Sequence, residues 1–208
     1  AGIPAPRILD WDREHGFLLL SDLGRRTMLD VIEPAQPEPN RPLYLAALDI
    51  LLRWQQASRA DVLPPYDAAL LQRELQLFPL WYVQQHRQLT LAPAQVQVLE
   101  QAFARIVAHN LAAPRVFVHR DFMPRNLMLA DGSSTAQPQL GVLDFQDAVY
   151  GPVTYDIASL TRDAFLSWDE EFVLDITIRY WERARKLCLL DFEDWAQDFS
   201  SFWRAVEW

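Results

Sequence analysis

The chain has one cysteine, one lysine and six glycines among its 208 residues, and each scarcity excludes something. A lone Cys188 permits no intrachain disulfide and is compatible with a reducing, cytoplasmic setting. The glycines at 2, 16, 24, 132, 141 and 151 are scattered, so no G-x-G-x-x-G or Walker-type loop cradles a phosphate. Lys186 stands alone against eighteen arginines, which limits where a nucleotide-clamping lysine can lie. No apolar run reaches membrane-spanning length, and nothing at the start resembles a cleavable signal. A net charge of −9 argues against nucleic acid and against anionic membranes as partners, since both need clustered cations. What is present is apolar: half the residues are hydrophobic and eight are Trp, enough for one large domain with a sizeable core.

Read in order, the chain predicts a short strand over Arg7 to Trp11 and a turn at Arg13 to Gly16. Phe17 to Leu20, apolar throughout, reads as a buried strand closed by Ser21 to Gly24. Two strands alone are marginal in water, so partner strands are expected before Ala1. The four prolines from Pro34 to Pro42 read as a linker. Leu43 to Ser58 is a mostly buried helix. Asp67 can cap a second helix running to Leu77, with Pro79 interrupting it. Thr90 can cap a helix reaching Leu111, whose stripe of Val96, Leu99, Phe103, Ile106 and Val107 reads as core. Strands flank the centre, and three helical segments follow: Tyr155 to Phe165, Glu170 to Leu187, and Phe192 to an uncapped end at Trp208. The class is α+β, mostly helical, with small β pieces segregated from the helices.

Everything else surrounds the stretch from Val116 to Asp147. It reads as strand, polar loop, strand, turn and strand ending in carboxylates. His119, Asp121 and Asn126 lie in the loop, and Asp144 follows eighteen residues after Asn126. Phosphoryl transfer needs positioned oxygens and neutralised charge more than covalent chemistry. Asp144 and the amide oxygen of Asn126 suit a Mg²⁺ ion, and Asp121 suits an attacking hydroxyl. From this composition, His-x-Asp-x-x-x-x-Asn is expected by chance only roughly 0.005 times. The bland alternative is that these residues merely cap turns.

His119-Arg120-Asp121-Phe122-Met123-Pro124-Arg125-Asn126 resembles the catalytic loop of the protein-kinase-like superfamily. Leu143-Asp144-Phe145 looks like its metal-binding aspartate motif. Tyr155-Asp156-Ile157-Ala158 resembles a signature of the aminoglycoside and choline phosphotransferase branch. With Leu77-Phe78-Pro79, Trp81-Tyr82 and Gln146-Asp147-Ala148, the pattern is similar to bacterial anomeric sugar kinases. Those phosphorylate N-acetylmuramate and N-acetylglucosamine in peptidoglycan recycling. The resemblance implies a kinase-like C-terminal lobe in which a small β hairpin carries the catalytic loop. Residues 1–24 would be the remnant of an N-terminal lobe and hinge, and 25–208 the helical lobe. It further implies Asp121 as catalytic base, Asn126 and Asp144 as Mg²⁺ ligands, and ATP as co-substrate. Ser21, Asp22 and Leu23 would then meet the nucleotide, with Met128 flooring the adenine pocket beside Leu143. His119 and Asp156 would brace the loop. Asp147, Trp81 and Tyr82 would be candidates for the sugar, although Trp81 and Tyr82 also suit a core.

The departures matter too. Met123 stands where relatives place a lysine or histidine, and Arg125 is the candidate to supply the missing positive charge. Lys186, far downstream of Asp144, cannot be the nucleotide-clamping lysine, so the sequence reads as truncated at both ends and inactive alone. Glu74 and Arg73 read as a solvated face, and Cys188 as inert packing. The competing readings are an aminoglycoside-, choline- or homoserine-type kinase, a pseudokinase-like binding module, and a metal-dependent hydrolase. Asp163, Asp169, Glu170 and Glu171 are the carboxylates that a cationic acceptor would use.

Overall fold

The densest apolar run of the sequence forms the spine of the molecule. A computed structural model describes residues 2–191, 195–196 and 198–208. Helix α1 (Pro37–Gln56) buries Leu43, Tyr44, Ala47, Leu48 and Leu51 completely. Against it packs α5 (Glu170–Lys186), through Phe172, Val173, Ile176 and Tyr180, and α6 (Phe199–Val206) packs on α5 with Phe202 stacked on Tyr180. Their polar atoms are matched inside this core. Trp168 Nε1–H donates to the Tyr44 hydroxyl at 2.6 Å, and Tyr180 donates to Gln55 Oε1 at 2.7 Å. Gln55 Nε2 in turn donates to the carbonyl of Val153 at 3.2 Å, which completes this run of buried hydrogen bonds.

Proline chemistry corrects two boundaries. The expected linker at Pro34 to Pro42 is helical from Pro37, because the first turn has no use for the N–H groups that proline lacks. Asn40 secures that start by accepting from Glu33 N–H and donating to the carbonyls of Glu33 and Gln36. Helix α2 (Ala68–Leu75) is capped by Asp67, as its sequence predicts, at 2.9 Å from Leu70 N–H. Pro79 does not interrupt the chain there. A wider π-helical segment, Phe78–His86, takes over and accommodates it.

Helix α3 (Pro93–Ala112) begins after Ala92 rather than at Thr90. Gln95 Oε1 accepts the Ala92 N–H at 2.9 Å and replaces the expected hydroxyl cap. Of its apolar stripe only Phe103 is buried, and Val96 is exposed, so the stripe is core at one point. Helix α4 (Tyr155–Thr161) stops four residues before the expected Phe165. In the last segment the expected start, Phe192, lies outside the described residues. Cys188 is exposed at φ 55° and is not packed.

The strands make three small sheets. β1 (Ile8–Asp12) and β2 (Phe17–Leu20) form an antiparallel hairpin. β3 (Arg26–Thr27), β5 (Leu127–Leu129) and β6 (Leu140–Val142) form the second sheet, and β4 (Arg115–Val118) with β7 (Val149–Pro152) the third. The hairpin overturns the buried-strand expectation: every residue of β2 is exposed, Phe17 by 70%, because nothing described packs on either face.

The register of the other two sheets places the site. Val118 pairs with Val149, and Leu127 pairs with Val142. The 119–126 loop therefore leaves beside the point where the 143–148 loop ends, and returns beside the point where that loop begins. Two loops far apart in sequence are closed over one another by β pairing alone.

Candidate active site

Backbone hydrogen bonds lock the two loops together. Leu143 N–H donates to the carbonyl of Asn126 at 2.9 Å, and Asn126 N–H donates to that of Met123 at 2.9 Å. A 3₁₀ turn over Pro124–Asn126, opened by a proline, delivers Asn126 from the loop into β5. The Asn126 amide is oriented by its own donor: Nδ2–H bonds the carbonyl of Asp121 at 2.9 Å. Its Oδ1 is left without a protein partner among the described residues. Asp144 sits in the left-handed region at φ 63°, which turns its carboxylate out of the end of β6. One of its oxygens accepts from Gln146 Nε2 at 2.5 Å. Asp121 and Asp144 are exposed, and Asn126 is buried.

Two buried side chains hold this arrangement from behind. His119 bridges the loops, with Nε2 at 2.9 Å from the Leu143 carbonyl and Nδ1 buried without a partner. Burial holds its pKa below the ordinary histidine range, so at neutral pH the ring is uncharged and Nε2 carries the donating proton. Asp156, wholly buried at the start of α4, accepts from the N–H groups of His119 at 2.8 Å and Arg120 at 3.1 Å. These bonds support Arg120 at φ 77°, an unfavourable angle for a residue with a side chain. Burial pushes the Asp156 carboxyl up to about 7, against the pull of those two donors.

The nucleotide-facing candidates divide. Leu23 and Met128 both adjoin Gly141: Met128 pairs with Gly141 across the sheet, and a Cβ there would stand 2.9 Å from Leu23 Cδ1. Only glycine leaves room for that approach. Ser21 is engaged by Arg7, donating its N–H at 2.9 Å and accepting on its hydroxyl at 2.9 Å. The Asp22 carboxylate caps Gly24 N–H at 2.9 Å. Ser21 N–H and the Asp22 side chain therefore serve the turn.

Arg125 is exposed, its guanidinium 5.2 Å from the ring centre of Phe165. Asp147 is exposed beside the loop. Trp81 and Tyr82 are exposed by 62% and 48%, which overturns the core reading for both. Tyr82 stacks between Phe78 and His86, while Trp81 has no aromatic partner among the described residues.

Sequence reasoning missed Glu74. Instead of facing solvent, it forms a salt bridge with Arg120 and accepts from the Tyr66 hydroxyl. No local spacing signals this contact, because its partner lies 46 residues away. A cavity of about 480 Å³ opens beside the pair, lined in part by Tyr66, Glu74, Phe78, Tyr155, Arg162 and Trp208. Asp121, Asn126 and Asp144 do not border it.

The fold of this chain recurs among solved structures. An aminoglycoside-3'-phosphotransferase of type VIII superposes with a TM-score of 0.60 at 15% identity, over 99% of this chain and 74% of that one. An aminoglycoside phosphotransferase from Streptomyces rimosus, in complex with ADP and streptomycin, gives 0.60 at 17% identity, over 91% and 75%. At such identities the likeness is one of fold.

The profile described as the phosphotransferase enzyme family matches residues 1–198, and the chain belongs to that family. It is 50% identical over 184 residues to an N-acetylmuramate/N-acetylglucosamine kinase of Pseudomonas aeruginosa, covering 88% of this chain and 52% of the relative. To the N-acetylmuramate/N-acetylglucosamine kinase of Neisseria meningitidis it is 44% identical over 207 residues, covering 99% and 59%. The chain thus spans little more than half the length of these curated relatives. No described helix is long and apolar enough to cross a membrane.

Proposed function

We propose that the protein to which this chain belongs transfers the γ-phosphoryl group of ATP to a hydroxyl of a cell-wall amino sugar, the anomeric one in the first instance. The carrying observation is the closure of the 119–126 and 143–148 loops over one another, which brings the segments that carry Asp121, Asn126 and Asp144 side by side. The activity for which relatives at 44% and 50% identity are named supports the choice of acceptor. In this reading residues 25–208 are the C-terminal lobe of a kinase-like fold, and residues 1–24 are its hinge and the last strands of the other lobe.

The donor set fits a hard cation. Asn126 Oδ1 and the second oxygen of Asp144 are unclaimed among the described residues, and both are oxygen ligands of the kind Mg²⁺ takes alongside water and phosphate. Bound there, the ion would neutralise charge on the phosphates during transfer. Among the described residues no three His, Cys, Asp or Glu side chains cluster, which lends nothing to a metal-dependent hydrolase. Asp121, exposed and with no side-chain partner among the described residues, is placed to accept a hydrogen bond from the acceptor hydroxyl and then its proton. Leu23 and Met128, both beside Gly141, offer an apolar wall for adenine. Arg125 is the candidate to offset the missing cation at Met123.

Of the four carboxylates a cationic acceptor would use, three are engaged, while Glu171 is exposed and has no hydrogen-bond partner among the described residues. Glu170 binds Arg162 at 2.7 and 2.9 Å, Asp169 caps α5 at 2.8 Å, and Asp163 accepts from Phe165 N–H at 2.7 Å. The choice of a sugar over an aminoglycoside or choline rests on the relatives rather than on these carboxylates. The test is Mg²⁺-dependent ATP consumption by the full-length protein with a panel of amino sugars, aminoglycosides and choline. Turnover confined to amino sugars is expected; turnover with aminoglycosides alone moves the assignment to the cationic class. Absence of Mg²⁺-dependent nucleotide binding would leave a non-catalytic binding module.

A further inference from the structure

Arg120 and Glu74 connect parts of the molecule that phosphoryl transfer requires in register, and the chemistry above gives neither a role. Arg120 immediately precedes Asp121. One end of its guanidinium donates to Glu74 Oε1, and the other reaches the carbonyl of Asp147 at 3.4 Å. Its backbone is held at φ 77° only by the N–H bond to Asp156. A residue with a side chain occupies that region at a cost, so other loop conformations compete unless something anchors it.

Glu74 is that anchor's far end, and it is itself held. Its second oxygen accepts from the Tyr66 hydroxyl, which burial keeps protonated. Tyr66 is fixed twice: its N–H donates to Tyr150 at 2.8 Å, and its ring meets Tyr155 edge-on at 5.3 Å. Gly151 underlies it so closely that a Cβ there would lie 2.6 Å from Tyr66 Cβ. The anchor is therefore rigid on both sides. From Glu74 the chain runs directly into the Phe78–His86 segment, with its exposed Phe78, Trp81 and Tyr82.

We propose that Glu74 is a positioning residue: acting through Arg120, it holds the Asp121 loop and the Asp147 carbonyl in fixed relation to the aromatic segment that follows α2. This rests on the phosphotransferase reading and adds to it a joint between the reacting loop and the acceptor side. A purely structural salt bridge of the same exposure predicts a different result. It would lower global stability without singling out the loop.

The experiment is Glu74→Gln in the full-length protein, which keeps size and removes charge. Hydrogen exchange of the 119–126 amides is expected to accelerate at least roughly tenfold while that of α1 and α5 is unchanged, because local opening is independent of global unfolding. In the amino-sugar assay kcat falls about tenfold with KM for ATP within about twofold, the pattern of lost transition-state positioning. Asp49→Asn breaks the outer-surface pair with Arg183, at 2.7 Å, and changes neither quantity. If Glu74→Gln does not fold, Arg120→Lys, which keeps the charge and loses the fork, reads the same two quantities. Unchanged exchange in the loop, or equal acceleration throughout the chain, overturns the inference whatever the turnover. A wild type without turnover but with the exchange difference intact overturns the phosphotransferase reading alone.

Discussion

The β1–β2 hairpin and the pair of loops at 119–126 and 143–148 are built from comparably apolar sequence and end in opposite conditions. In the hairpin Ile8, Leu9, Trp11 and all of β2 face solvent, and its strands are held by their own ladder. At the loops Val118, Phe122, Leu127 and Val142 are buried, and polar groups of His119, Asn126 and Asp156 are bonded to backbone. The difference lies in neighbours rather than composition. β4 and β6 are backed by α1 and β7 by α3, and the hairpin is backed by nothing among the described residues. The chemistry-bearing residues are therefore carried by a region that supports itself: Asp121 and Asp144 stand out from it as exposed side chains, and Asn126 is buried within it.

That contrast is broken most severely by changing an exposed residue of the fixed region. In the full-length protein Asp121→Asn is expected to lower sugar-dependent kcat by about 10²–10⁴, the range for loss of a positioned base. Because Asp121 is exposed, the midpoint of thermal unfolding should move by no more than about 2 °C. Retained turnover in an activity assay would remove Asp121 from the reacting centre. A large fall in the midpoint would instead make it part of the support.

The next test addresses the support directly. The Asp156 carboxyl titrates at about 7 when folded, above its ordinary 3.8. Between those values the folded state binds more protons than the unfolded one, so stability falls as pH rises through that window. Three units of displacement correspond to about 4 kcal/mol at most. Asp156→Asn cannot ionise, so it should be most destabilising relative to wild type near pH 4 and progressively less so toward pH 8. Urea unfolding at several pH values measures the difference. A constant difference would show that the carboxyl is ionised throughout.

The sequence made the loop legible because His119, Asp121, Asn126 and Asp144 report through spacing along the chain. Helix α1 was legible from its apolar density, and Asp67 from its capping position. What could not be read is what depends on distant neighbours. Phe17 to Leu20 spells a buried strand, yet burial is decided by what packs on it. Glu74 spells a solvated helix face, yet its partner Arg120 is 46 residues away. Pro37 and Pro39 spell a linker unless they fall in a helix's first turn, and that depends on where α1 begins. Trp81 and Tyr82 spell a core, and the π-helical path of the chain turns them outward.

The smallest expected effect falls on the hairpin. Leu19 is 61% exposed, so truncating it removes little surface that folding had taken from water. Leu19→Ala in this chain should shift the unfolding free energy by no more than about 0.5 kcal/mol. The same truncation at the fully buried Leu127, one strand of the fixed region, should cost about 2–5 kcal/mol. Repeating Leu19→Ala in the full-length protein gives the comparison its sharpest form. A cost that stays near zero there would mean the hairpin is open in both settings. A cost that rises toward the Leu127 value would mean that residues beyond this chain cover β2, and that its apolar run spells burial correctly in the longer protein.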